Sequence, residues 1–353
     1  MASWGVGHVG SGVLALELSY WQQSVLRSVA VLAAVLLPAG TFVYLFLFKM
    51  MSFMQSRLGP NEAGPYGSLQ LLAEVGKFLQ KEDIVPAKAD RKLFFIAPYI
   101  VVASVLLVYV AIPFGPDAFF ADLDTGIFYI LAVSSISIIG VLVAGWASAN
   151  KYSLMGGLRA AGQLIAYELP MVLAVIGVVI QAGSLNMFDI IRAQADGEIF
   201  GFGGLGNPFI LTQVVGFAIF MIATQAELTQ PPFDMPVAES ELVTGYMTEY
   251  SGIRFLLFFI AEFAAVGAFG AFASVLWLGG WYVPFVDMDA NYMNIVGPAV
   301  MFGKMMIIAF VVFWVRFTYP RLREDQLQTF AWKYLIPASL INIVATGILK
   351  VVF

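Results

Sequence analysis

The chain has 353 residues, of which 60% are hydrophobic and 12% charged, with a formal net charge of −5 and a mean hydropathy of +0.87. Soluble domains carry about a quarter charged residues, so water is not the main solvent of this fold. Cysteine is absent and His8 is the only histidine, which removes the side chains that usually hold iron–sulfur clusters, haem or copper and assigns any metal redox centre to a partner.

A helix needs about 20 apolar residues to cover a hydrocarbon core of roughly 30 Å. Uncharged apolar runs at 28–48, 94–113, 127–147, 163–183, 208–227, 255–278, 294–316 and 334–352 predict about eight transmembrane helices. Continuous apolar runs exclude a barrel, whose strands alternate over about ten residues. The expected fold is an all-α integral membrane protein, with residues 1–353 forming one membrane domain. The first 27 residues lack the basic start and small-residue cleavage site of a secretory signal, so the first span is expected to be retained. No internal repeat is visible, unlike many transporters built from inverted halves.

The connection 49–93 is not a plain tether. Leu69, Leu72, Val75, Phe78 and Leu79 recur at helical spacing among Glu74, Lys77, Lys81 and Glu82, which predicts an amphipathic interfacial helix. Gly59, Pro60, Gly64, Pro65 and Gly67 place a run of turns before it.

Basic residues gather in alternate connections: Lys49, Arg57, Lys77, Lys81, Lys88, Arg91 and Lys92, then Lys151 and Arg159, Arg254, and Arg316, Arg321, Arg323 and Lys333. The opposite side carries Arg27, Arg192 and Lys350. The positive-inside rule therefore puts the loops 49–93 and 228–254 in the cytoplasm and both termini outside, as in a multi-pass protein of a bacterial inner membrane. Trp146 and Trp332, near span ends, read as interface anchors.

Glu168 lies about one turn inside an apolar span, where a carboxylate marks a proton path or a paired charge; snorkelling to the interface is the other reading. Glu227 closes another span on the same side, and Glu262 lies two turns into the next. Lys304, mid-span, needs a partner, and Glu262 is the candidate for a buried charge pair. Between 227 and 254, Glu227, Asp234, Glu239, Glu241 and Glu249 crowd against a single base, Arg254. Such crowding raises proton affinities where the site is desolvated, whereas a solvated acidic loop is the alternative.

The order Gln55-Ser-Arg57-Leu-Gly59-Pro60-Asn61-Glu-Ala-Gly64-Pro65-Tyr-Gly67, then Lys81-Glu82-Asp83 through Pro86 to Asp90, closely resembles the first loop of the quinone-site (H-type) membrane subunit of the respiratory complex I family. The likeness continues through Pro113–Pro116, Gly145–Ser153, Arg159, Tyr167-Glu168, Ala226–Asp234, Glu239–Tyr246, Thr248–Ser251, Lys304 and Arg321–Gln326.

The resemblance implies a place where a peripheral electron-transfer arm meets a membrane arm, and a narrow chamber for a quinone substrate, ubiquinone or menaquinone. NAD and the iron–sulfur clusters would belong to partners, namely peripheral iron–sulfur subunits of the quinone module; antiporter-like membrane subunits and lipid complete the surroundings, without nucleic acid. It makes Gln55, Arg57, Lys77, Phe233 and Arg254 quinone-chamber and docking residues. Glu168, Glu227, Asp234, Glu239, Glu241 and Glu249 become the start of a proton-coupling path.

Several positions depart from the family pattern around the expected quinone entrance and acidic loop. Leu47-Phe48 stand for a usual Glu-Arg pair, Gln230 for an Arg, Val237 for an acid and Met247 for a His. The expected function is that of a non-catalytic-alone subunit of a proton-translocating NADH-quinone oxidoreductase. Ferredoxin- or F420-dependent complexes and membrane hydrogenases use comparable subunits and are the alternatives for the donor. A secondary transporter using Glu168, Glu262 and Lys304, or a purely structural anchor, are the rival classes.

Overall fold

The computed structural model describes residues 20–197, 206–286, 288 and 292–352. His8 and the side chain of Arg27 lie outside the described residues. The described residues are helical and irregular, without strand. Helix α1 (Tyr20–Phe42) runs on through a π-helical stretch, Val43–Met50, to Met54. There follow α2 (Gln70–Gln80), α3 (Arg91–Ala111), and α4, made of Gly126–Ser134 and Ile136–Ala147 joined at Ser135. The chain continues with α5 (Lys151–Ala182), the short α6 (Met187–Ala195), α7 (Val214–Glu227) and α8 (Gly252–Leu278). Helix α9 spans Met293–Thr318, and α10 runs from Glu324 to Val352 through a π-helical turn at Ala331–Leu335.

Among the described residues seven helices, α1, α3, α4, α5, α8, α9 and α10, are long and apolar enough to cross a membrane, and α7 is a shorter apolar helix of 14 residues. The chain is an integral membrane protein with an all-α fold. Several elements differ from the apolar runs read in the sequence: α1 and α10 begin earlier, at Tyr20 and Glu324, and α1 runs on to Met54, while two further differences reshape the interior. The run 208–227 is interrupted, because a single turn at Phe209–Thr212 gives way at Gln213 (φ −119°, ψ 39°) before α7 begins. Gln213 is buried and its amide is satisfied by α10: it donates to Thr346 Oγ1 at 2.7 Å and accepts from Asn342 Nδ2 at 3.0 Å. The other difference is α5, which starts at Lys151 rather than near 163. Asn150 caps it by accepting from the Tyr152 amide at 2.8 Å. Its 32 residues are about 48 Å long at 1.5 Å per residue, so its first turns project beyond a core of about 30 Å.

Helix α8 is the central post, buried along most of its length and packed against α1, α3 and α9. Stacked rings tie these helices together: Phe46 and Phe313 lie 5.2 Å apart, and Phe313 and Phe263 5.7 Å. Helix α5 packs against α4, α7 and α10. Where α5 meets the segment after α7 it carries Gly156, and a Cβ there would stand 2.6 Å from the Tyr246 nitrogen. The loop backbone therefore lies directly on the helix. Lipid-like exposure of Leu26, Leu37, Ile341 and Val344 marks the outer faces of α1 and α10.

Candidate functional site

Helix α2 lies on one end of the bundle with none of its residues fully buried. The apolar stripe read from the sequence divides: Leu71, Val75 and Phe78 turn inward, while Leu72 and Leu79 remain exposed. Between α2 and the segment Thr244–Phe255 runs a groove of about 1020 Å³, with Ala73, Lys77 and Phe78 on one wall and Met247, Tyr250 and Phe255 on the other. Lys77 thus borders the groove and pairs with Glu74. Gln55 and Arg57 bond to each other at 2.8 Å, exposed, and neither borders the groove. Phe233 is buried, packs edge-on against Tyr167 at 5.2 Å, and belongs to the core rather than to a chamber wall.

The acidic segment after α7 is not balanced by Arg254 alone, as its local sequence suggests, because bases from distant elements fold over it. Arg321 donates to Asp234 at 2.9 Å and to Ser240 at 3.2 Å. Arg159, on the projecting start of α5, donates to Glu241 at 2.6 Å and lies 3.7 Å from Glu324. Asn150, the cap of the same helix, donates to Glu249. Glu239 stays exposed. Arg254 instead pairs with Asp83 at 2.7 Å. Burial pushes the Asp234 carboxyl up to about 6, against the opposing pull of Arg321.

Three further carboxylates lie on the helices themselves. Glu168, on α5, accepts from the Ser135 hydroxyl at the joint of α4. It is close enough to Glu227 for the two to interact electrostatically. One Glu227 oxygen, Oε2, is shut from solvent with no hydrogen-bond partner among the described residues. Glu262, on α8, accepts from Gln230 Nε2 and pairs with Arg316 at 3.4 Å, and Arg316 also donates to Gln230 Oε1. Glu227 and Glu262 border one cavity of about 80 Å³ whose wall also carries Ser104, Ser134, Thr229 and Tyr246. A water needs roughly 10–15 Å³ of such space, so the cavity has room for several beside two carboxylates and several hydroxyls.

The pairing of Glu262 with Lys304 does not form. Lys304 Nζ donates instead to the carbonyls of Leu278, Gly280 and Tyr282 at 2.7, 2.7 and 2.8 Å. These carbonyls cluster at the C-terminal end of α8, where unpaired acceptors and the helix dipole attract a cation. Glu262 sits near the other end, about 24 Å away along the axis at 1.5 Å per residue. Sequence reasoning gave no role to Ser135, nor to Tyr246 and Asp83, which figured only in the family likeness. Arg316 appeared only as part of a charge bias and Arg321 only in that bias and the family likeness, and nothing local announces that they neutralise acids far along the chain.

The chain matches the NADH dehydrogenase family model over residues 26–347. It is 46% identical over 317 residues to the H-type subunit of NADH-quinone oxidoreductase from Brevibacillus brevis, covering 90% of each chain. The protein of the same description from Anoxybacillus flavithermus is 45% identical over 324 residues, 91% of this chain and 92% of that one. The second of the H-type subunits of NADH-quinone oxidoreductase from Syntrophobacter fumaroxidans is 45% identical over 327 residues, 90% of this chain and 92% of its own. The chain belongs to the NADH dehydrogenase family.

Proposed function

We propose that this member of the family is the H-type membrane component of a proton-translocating NADH-quinone oxidoreductase, walling the quinone chamber with its groove and starting the proton path with its buried acids. The observation that carries the reading is that Glu227 and Glu262 border one cavity among the helices, whose otherwise largely apolar wall also carries several hydroxyls, and that it adjoins the groove along the chain: Tyr246 borders the cavity and its neighbour Met247 borders the groove.

In this reading NAD and the iron–sulfur clusters reside in partner subunits, which deliver electrons to quinone held against the apolar wall of Met247, Tyr250 and Phe255. Reduction of a quinone to a quinol takes up two electrons and two protons. Negative charge that develops at the head group draws protons toward it and favours the protonated form of nearby carboxyls. Asp234, whose carboxyl titrates near 6, is poised to exchange a proton close to neutral pH. Glu262, Glu227 and Glu168 continue the path as carboxyls that take up and release protons, the first two sharing a cavity whose wall carries hydroxyls and the third accepting from Ser135. Arg316 and Arg321 keep Glu262 and Asp234 from repelling one another. The groove end faces the cytoplasm of a bacterial inner membrane in this reading, with both termini outside, and antiporter-like subunits take the proton signal onward.

The test compares two rates on the same membranes after Glu262→Gln: quinone reduction, and reduction of a hydrophilic acceptor that draws electrons before the quinone site. Quinone reduction is expected to fall about tenfold or more, in the range typical of a lost acid–base group, with the acceptor rate unchanged. Two wild-type rates in assembled enzyme refute the role.

A further inference from the structure

We propose that the Asp83–Arg254 ion pair is a latch that fixes α2 against the start of α8 and so sets the width of the groove. The pair positions quinone without touching it, which rests on the groove being the quinone site. Helix α2 has little else to hold it. Leu71 lies against Gly40 of α1, and Phe78 stacks on Phe255 of α8 at 5.6 Å. Its remaining length is half-buried or exposed.

The chain that follows α2 is held far more firmly. Ser251 Oγ donates to the Glu82 carbonyl at 3.0 Å and accepts from the Ile84 amide at 3.1 Å. Gly252 has φ +56°, and a Cβ there would stand 3.0 Å from the Lys81 carbonyl. Between Glu82 and Ile84, Asp83 accepts from Arg254 Nη2 at 2.7 Å. The guanidinium lies 3.5 Å over the Phe95 ring and 5.4 Å from that of Phe94. Arg254 is 4% exposed, and its Nη1 is buried without a partner among the described residues. A buried guanidinium is costly once its carboxylate leaves, so Asp83 and the chain around it are bound to α8.

The latch sits where the two walls meet, since Lys81 ends one wall and Ser251 and Phe255 belong to the other. From that junction α2 extends 11 residues, about 16 Å, so a tilt of about 10° there moves its far end by about 3 Å. A shift of that size opens or closes the groove.

The experiment uses the assembled complex with Asp83→Asn and reads kcat and KM for quinone, with hydrogen exchange of the α2 amides beside them. The expected result is a KM raised about fivefold with kcat within about twofold, the pattern of lost uniform binding, and faster exchange across Gln70–Gln80. Asp83→Glu is expected to restore both. Unchanged KM and exchange in assembled Asp83→Asn, or a fall in kcat at constant KM, overturns the latch. If Asp83→Asn does not assemble, Arg254→Lys keeps the charge but loses the ring stacking, and the same two readouts decide. Met247→Trp crowds the groove directly and separates the two ideas. If it raises KM while the latch variants do not, the latch falls and the groove reading stands; if it leaves KM unchanged, both fall.

Discussion

Tyr246 and Met247 are consecutive residues that face different chambers: the first borders the cavity of Glu227 and Glu262, the second the groove beneath α2. The backbone at this point is pressed onto α5 at Gly156 and turned by Gly245, whose φ is +57°. One short turn therefore separates the proposed quinone wall from the proposed proton cavity. Burial pushes the Tyr246 phenol up, so it stays protonated and serves the cavity as a hydroxyl.

Variants at these neighbours are expected to part company. Met247→Trp should raise the quinone KM several-fold while leaving protons translocated per electron unchanged, because it alters only the groove. Tyr246→Phe should leave KM near wild type and lower the proton yield. Steady-state kinetics and proton uptake on the same vesicles check the pair; identical effects of both variants contradict the division.

In the acidic segment, the expected loss is set by pairing rather than by the number of acids. Glu241 is held by Arg159, whereas Glu239 is exposed. The Glu241 side chain is about half exposed, at 48%, so screening limits the pair to about 1 kcal/mol, or roughly fivefold in rate if loop order limits turnover. Glu239→Gln should be near wild type, and the double variant should match Glu241→Gln alone. Quinone reduction rates in assembled enzyme measure this.

The pH dependence of quinone reduction should carry the signature of Asp234. Its carboxyl titrates near 6 in the folded chain against an ordinary 3.8, so it is largely ionised at pH 7 and loses its charge, and with it the pairing with Arg321, as pH falls through 6. Because the folded value is the higher one, the folded state binds the proton more readily. Stability from this group is thus greatest below about 4 and is lost as pH rises toward 6. Activity is expected to fall below pH 6 in the wild type without unfolding of the loop, and that acid limb should vanish in Asp234→Asn. An unchanged limb in the variant assigns it to another group.

Membrane orientation is open to a clean test, since the natural chain has no cysteine. Ser68 is exposed just before α2. A cysteine placed there should be labelled by an impermeant thiol reagent in inverted vesicles and protected in intact cells. Labelling from outside reverses the topology.

Much of the scaffold was legible because burial in lipid writes itself as long apolar runs. The extension of α5 was not, since Lys151 to Arg159 is polar enough to read as a connection, and its cap, Asn150, is seen only in the structure. The break at Gln213 was hidden because its cost is met by Asn342 and Thr346, far along the chain. Acids in the spans stood out individually. Their partners did not: Arg159 and Glu241 are 82 residues apart, and Lys304 is satisfied by backbone carbonyls, which every residue possesses and no sequence pattern reveals.

The most direct measurement of the proton path is the number of protons translocated per electron in closed vesicles carrying Glu168→Gln. The amide keeps the size of the carboxyl and a contact to Ser135, so assembly is expected to survive, but it cannot take up and release a proton. The ratio is expected to fall, because an intramembrane carboxyl that carries protons is replaced by a group that cannot, while electrons still reach a hydrophilic acceptor at the normal rate. A wild-type ratio together with wild-type quinone turnover would contradict a proton path through Glu168.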